Sequence, residues 1–241
     1  MPADRPLTGR EATLAIARIA VTRAPRSWAL WVVLALASLP VAYARLILGS
    51  GPPGAGLWRD VFSFGLRLLW VVPTTMVAGA IGDELTDRHR SYLWSRPLPR
   101  WSILTGKLLA SAPLAFAVLA GGLAAAFALA RSPALEDPGL VLARSLGAIA
   151  LGVIAVGAVA TAMATLQPRF ATALAIGYMG FVDFPLGEMP AALRQLSIQY
   201  QVRQVAAVDQ YPGSTVTALI ALAVITAVAA AVALARVRRF E

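Results

Sequence analysis

The sequence predicts an all-α, polytopic integral membrane protein. It predicts six transmembrane helices, an N-terminal interfacial amphipathic helix, and short surface or re-entrant helices before the last span. Of the 241 residues, 59% are hydrophobic and only 14% charged, whereas soluble domains run at about 45–50% apolar and about 25% charged. The apolar residues gather in runs that reach the roughly 20 residues a spanning helix needs. The basic residues lie mostly between those runs, where they set topology. The net charge of +9 is therefore an orientation signal and not a nucleic-acid patch, and no nucleic-acid partner is expected. Cysteine is absent, which excludes disulfides, thiolate chemistry and cysteine metal sites.

The chain reads as a single transmembrane domain over 1–241. Residues 9–24 form an amphipathic segment in which Leu14, Ile16, Ile19 and Ala20 alternate with Arg10, Arg18 and Arg23, and Pro25 ends it. A basic amphipathic helix ahead of a first span lies in the interface with its arginines toward headgroups, so membrane lipids are a partner. The N-terminus lacks the short apolar core and small-residue cleavage site of a signal peptide, so the first span is expected to act as the insertion signal.

That span is Trp28–Leu48, bent near Pro40 and anchored at the interface by Trp28 and Trp31. "GSGPPGAG" (49–56) is a turn-rich connection. The second span covers Val61–Ile81, the third Ile103–Leu129 and the fourth Leu140–Thr165, with "LQPRF" (166–170) reversing the chain. The fifth starts at Ala171 and loses its apolar character after Phe184; the sixth is Thr215–Ala235, closed by "RVRRFE". The extracytoplasmic segment 184–213 is too polar to span. Met189, Leu193, Leu196 and Tyr200 follow helical spacing, predicting short helices on or in the membrane surface.

If the N-terminus, residues 82–107, residues 166–170 and the C-terminus share a side, that side holds most of the lysine and arginine. The other keeps only Arg45, Arg59, Arg131, Arg194 and Arg203. The expected topology has both termini and the polar stretch in the cytoplasm.

Few ionisable residues fall within the spans. Arg67 lies in the second, where it snorkels, pairs with Asp60 or serves as a candidate substrate-path residue. Arg144 reads as an interfacial anchor, and Asp183 as a helix-end acid in water. "AGGLAAAF" (120–127) and "GVIAVGAVATAMA" (152–164) supply the small residues that close helix packing requires. His89 is the sole histidine, so a histidine metal cluster is excluded, and no metal is expected. The Gly106–Lys107 pair is followed by Leu108, where a phosphate loop needs Ser or Thr, and no glycine stands five residues before it. The chain thus lacks that route to ATP hydrolysis, and no catalytic residues are expected.

The most polar stretch is "IGDELTDRHRSYLWSRPLPRWSILTGK" (81–107). Its arrangement of Glu84, Arg88, Leu93, Arg96-Pro97-Leu98-Pro99-Arg100 and Gly106-Lys107 between a second and a third span resembles the first cytoplasmic loop of type-2 ABC transporter permeases. The basic N-terminal helix, the six spans, the surface segment before the last span and the arginine-rich end extend the resemblance along nearly the whole chain. "DRHRSYL" departs from it, where many relatives carry a small residue and Thr.

The resemblance implies that 83–100 is a coupling loop docking on a separate cytoplasmic ATP-binding-cassette ATPase. That chain would carry ATP and Mg, leaving no cofactor bound here. Asp83, Glu84, Asp87, Arg88, Arg90, Arg96 and Arg100 can make charge-assisted contacts. Tyr92, Leu93 and Trp94 offer apolar anchors. It further implies a dimer with a second permease copy or paralogue, working in export across the bacterial inner (cytoplasmic) membrane. Two readings compete: an intramembrane enzyme, for which the spans lack facing acids and histidines, and a non-transporting membrane anchor for a cytosolic partner.

Overall fold

The computed structural model describes residues 8–23, 28–49, 56–69, 71–85, 100–130, 137–189, 192–208 and 213–238, and contains no strand among them. The helices are α1 (Gly9–Arg23), α2 (Trp28–Ala37), α3 (Leu39–Leu48), α4 (Leu57–Leu69), α5 (Val72–Leu85), α6 (Arg100–Ala130), α7 (Pro138–Leu166), α8 (Ala171–Tyr178), α9 (Phe184–Glu188), α10 (Ile198–Ala206) and α11 (Thr215–Arg238). Short 3-10 turns occupy Pro168–Phe170 and Ala192–Leu196, and a π turn occupies Met179–Asp183.

Six stretches are long and apolar enough to cross a membrane: Ala29–Leu48, Leu57–Asp83, Trp101–Ala130, Pro138–Leu166, Pro168–Glu188 and Thr215–Val237. They bear out the six spans, with the second starting earlier than Val61. Leu57 and Trp58 are buried at its head, and Trp58 stands edge-on to Phe127 at 4.7 Å between ring centroids. The fifth also continues past Phe184 to Glu188. Pro185 cannot donate to the Phe181 carbonyl four residues back, so the helix widens into the π turn and resumes as α9.

α1 begins with a capping box. The Glu11 carboxylate accepts from Thr8 N at 2.8 Å and Thr8 Oγ1 at 2.9 Å, and Glu11 N–H donates to Thr8 Oγ1 at 3.4 Å. The backbone N–H of Thr8, then its hydroxyl, hold the Glu11 carboxyl below the usual carboxylate range. One side of α1 seats on α6 at Gly106, where a Cβ would lie 2.9 Å from Thr13 O and 3.0 Å from Ile16 Cβ. The other side leaves Leu14, Ile19 and Val21 exposed near Arg10 and Arg18, the arrangement of an interfacial helix.

The bend of the first span falls at Ser38, between α2 and α3, where the Ser38 hydroxyl donates to Ala35 O at 2.6 Å and Pro40 sits in the first turn of α3. The Ala37 carbonyl is pressed against α6 at Gly122, where a Cβ would come within 2.2 Å of it. Only glycine permits this crossing. α7 starts from Asp137 in the left-handed region (φ 44°) with Pro138 at its first position. It packs against α4, α5, α6, α8, α10 and α11. Within the most apolar stretch of α7, 67% is buried, against 22% for α11, so α7 is the axis and α11 the periphery. α11 turns Val216, Ile220, Val224 and Val228 outward at four-residue spacing, as a lipid-facing helix does.

Two apolar clusters make up the core, a large one through the body of the bundle and a smaller one at one end. The smaller joins Val77 and Ile81 of α5, Leu104 of α6, Ala160 and Ala164 of α7, Ala171 of α8 and Val237 of α11. The end of α5, the start of α6, the 168–170 turn and the end of α11 therefore share one pole, together with α1. These are the segments that the charge distribution assigned to one side.

Candidate functional site

The polar stretch begins within α5 and ends at α6. Asp83 is exposed in the last turn of α5, Glu84 follows it in the helix, and Arg100 is the first residue of α6. Asp87, Arg88, Arg90, Tyr92, Leu93, Trp94 and Arg96 lie outside the described residues, as does His89. What the structure does define is how the end of α5 is packed. A Cβ at Gly82 would lie 2.8 Å from Ala171 Cβ and 3.0 Å from Pro168 O. The end of α5 is thereby seated directly on the turn between the fourth and fifth spans. Asp83, Arg169 and the half-exposed Phe170 line a cleft of about 280 Å³ beside this contact.

Arg67 stands exposed on α4, ten residues (about 15 Å) along the helix from Leu57 and so nearly three turns in. Because the span starts at Leu57 and not at Val61, Arg67 lies deeper than the expected bounds of the second span imply. Its guanidinium lies 5.9 Å from the Phe184 ring centroid on the fifth span. Asp60 is seven residues away, about 10 Å along the axis, and the described residues show no ion pair between the two.

The structure overturns the reading of Asp183 as an acid in water: it is 1% exposed. Its carboxylate accepts the Ile198 N–H at 2.7 Å, the Gln199 N–H at 3.3 Å and the Ser197 hydroxyl at 3.3 Å. It therefore caps α10 from fifteen residues upstream, satisfying donors that a helix N-terminus leaves free. Ser197, the N-cap itself, accepts from Tyr200 N–H at 3.3 Å. Arg203 places a positive charge opposite Asp183 and ties down α9 through Glu188 Oε1 at 2.8 Å and Gly187 O at 2.9 Å. Gly187 is needed here because a Cβ would fall 2.8 Å from Ser197 Oγ.

The expected single helical face of Met189, Leu193, Leu196 and Tyr200 is also corrected. Met189 is extended, and Ser197 separates the 3-10 turn from α10. Met189, Leu193 and Leu196 are exposed while Tyr200 is buried. The segment folds back so that α10 packs on α7 and α11 with Ile198 and Val202 in the main core, and Gln199, Gln201 and Gln204 are buried with them. Ser-Ile-Gln-Tyr was the local signal for a helix start. Nothing local indicated which acid would complete the cap.

Fold and site thus define an all-α, multi-pass membrane protein with a shared helical pole and a pinned hairpin at the opposite end. No protein-family model matches the chain, and no curated protein matches it.

Proposed function

We propose that this chain is the membrane-spanning permease subunit of a bacterial ABC transporter, working as a dimer in the inner membrane with a separate cytoplasmic ATPase and exporting its substrate. The observation that carries the reading is the convergence at one pole of the end of α5, the start of α6, α1, the 168–170 turn and the end of α11. A displacement of the polar segment between Asp83 and Arg100 is transmitted there through contacts that leave no slack, since Gly82 and Gly106 have no room for a methyl group. In this reading both termini are cytoplasmic, Glu84 and Arg88 engage the ATPase, and closure of the ATPases rocks the spans.

Affinity purification of the tagged protein from its native membrane in mild detergent, with nucleotide hydrolysis assayed on the eluate, tests this. The expected result is a stoichiometric ATPase whose activity changes with Glu84→Ala and Arg88→Ala while the spans stay folded. A chain that emerges alone without hydrolysis overturns the reading. A bound partner whose activity ignores both substitutions leaves a membrane anchor instead.

A further inference from the structure

We propose that a groove between α7, α10 and α11 binds an anionic phospholipid, with the phosphate on Arg144 and one acyl chain along the groove floor. The cavity measures about 520 Å³ and is lined by Arg144, Gly147, Ala150, Leu151, Val205 and Thr215. Its floor is apolar or carries no side chain. Gly147 opens onto free space, with nothing within 4 Å of where a Cβ would stand. Below it the same face of α7 continues to the exposed Ile154, and α11 contributes the exposed Leu219. Water gains little in such a trough within a bilayer, and an acyl chain fills it.

The mouth supplies the charge. Arg144 is exposed and makes no ion pair or hydrogen bond among the described residues. Thr215 adds a hydroxyl to the same lining. Arg144 lies 22 residues before Leu166, roughly 33 Å along the helix axis. This matches the roughly 30 Å hydrocarbon thickness and sets the guanidinium at headgroup depth. An unpaired guanidinium over an apolar trough at that depth complements a phosphate ester carrying acyl chains, and phosphate is a preferred guanidinium partner. The site stands whether or not the chain exports anything; in the proposed orientation, on which this placement rests, it lies in the outer leaflet.

Native mass spectrometry of the detergent-purified full chain, titrated with phosphatidylglycerol and separately with phosphatidylcholine, tests the proposal. Wild type is expected to retain phosphatidylglycerol preferentially. Arg144→Gln is expected to weaken that lipid about tenfold and to weaken phosphatidylcholine, whose choline cation offsets its phosphate charge, by less, so that the preference shrinks. Gly147→Leu, whose Cβ would meet nothing within 4 Å, extends a side chain into the groove and is expected to reduce both lipids, while Arg59→Gln, an exposed arginine on α4, changes neither. Lipid retention unchanged in both Arg144→Gln and Gly147→Leu would overturn the site. So would displacement of phosphatidylglycerol by inorganic phosphate at equal concentration, which would mark a bare anion site. If Gly147→Leu abolished a dimer and left lipid binding intact, the groove would belong to a second copy and the proposal would fall.

Discussion

Asp183→Ala removes the acceptor that joins the fifth span to α10, and the size of the effect can be worked from the contacts. The buried carboxylate accepts one hydrogen bond of 2.7 Å and two of 3.3 Å. A short hydrogen bond to a charged group contributes about 1.5–3 kcal/mol, and the two longer ones are counted at roughly 0.5 kcal/mol each. Relief of the carboxylate's burial offsets about 1 kcal/mol of this. The net local loss is about 1.5–3 kcal/mol, which raises the opening equilibrium of α10 about 10- to 150-fold. Hydrogen–deuterium exchange of the full-length protein in nanodiscs, followed on peptides covering 198–206, reads that opening directly. Asp183→Asn keeps one carbonyl acceptor and falls between wild type and alanine. The capping role of Asp183 is refuted if α10 in Asp183→Ala exchanges within about twofold of wild type, or if α11 accelerates equally, which would indicate global destabilisation.

Three further outcomes follow from the same geometry. Gly122→Ala, whose Cβ would meet Ala37 O at 2.2 Å, is expected to lower stability by about 2 kcal/mol or more. Gly121→Ala meets nothing within 4 Å and is expected to be neutral or to stabilise by roughly 0.5–1 kcal/mol; thermal unfolding of the pair in matched detergent checks the contrast. In this cysteine-free chain, Gly187→Cys with Ser197→Cys brings Cβ atoms to 3.5 Å, within the range a disulfide accepts. Oxidation should therefore protect both thiols from maleimide-polyethylene glycol, and persistent labelling would show that α9 and α10 are not so juxtaposed. Because the Glu11 carboxyl is held below its ordinary range, its capping contribution is complete above that range and is lost as pH falls through the depressed value. Amides of the first turn of α1 should then exchange faster in acid, and Glu11→Gln should abolish most of that pH dependence.

The sequence by itself determined the class, the number of spans and the helices to within a few residues. Apolar run length is a local quantity, and the bilayer fixes what length is needed. It also determined which segments share a pole, because lysine and arginine sort by side before any helix packs. The polar stretch of 83–100 stood out by composition; its residues 86–99 lie outside the described residues, and the structure adds the close glycine contacts of its flanking helices at Gly82 and Gly106. Only the tertiary structure decided the rest. Asp183 read as a solvated helix end because its partners, Ser197, Ile198 and Gln199, lie 14 to 16 residues away and donate chiefly through backbone N–H groups, which no sequence pattern displays. The groove at Arg144 is invisible for a related reason. Its floor is defined by what Gly147 lacks and by how closely α10 and α11 approach α7, and helix approach is set by packing rather than by local composition.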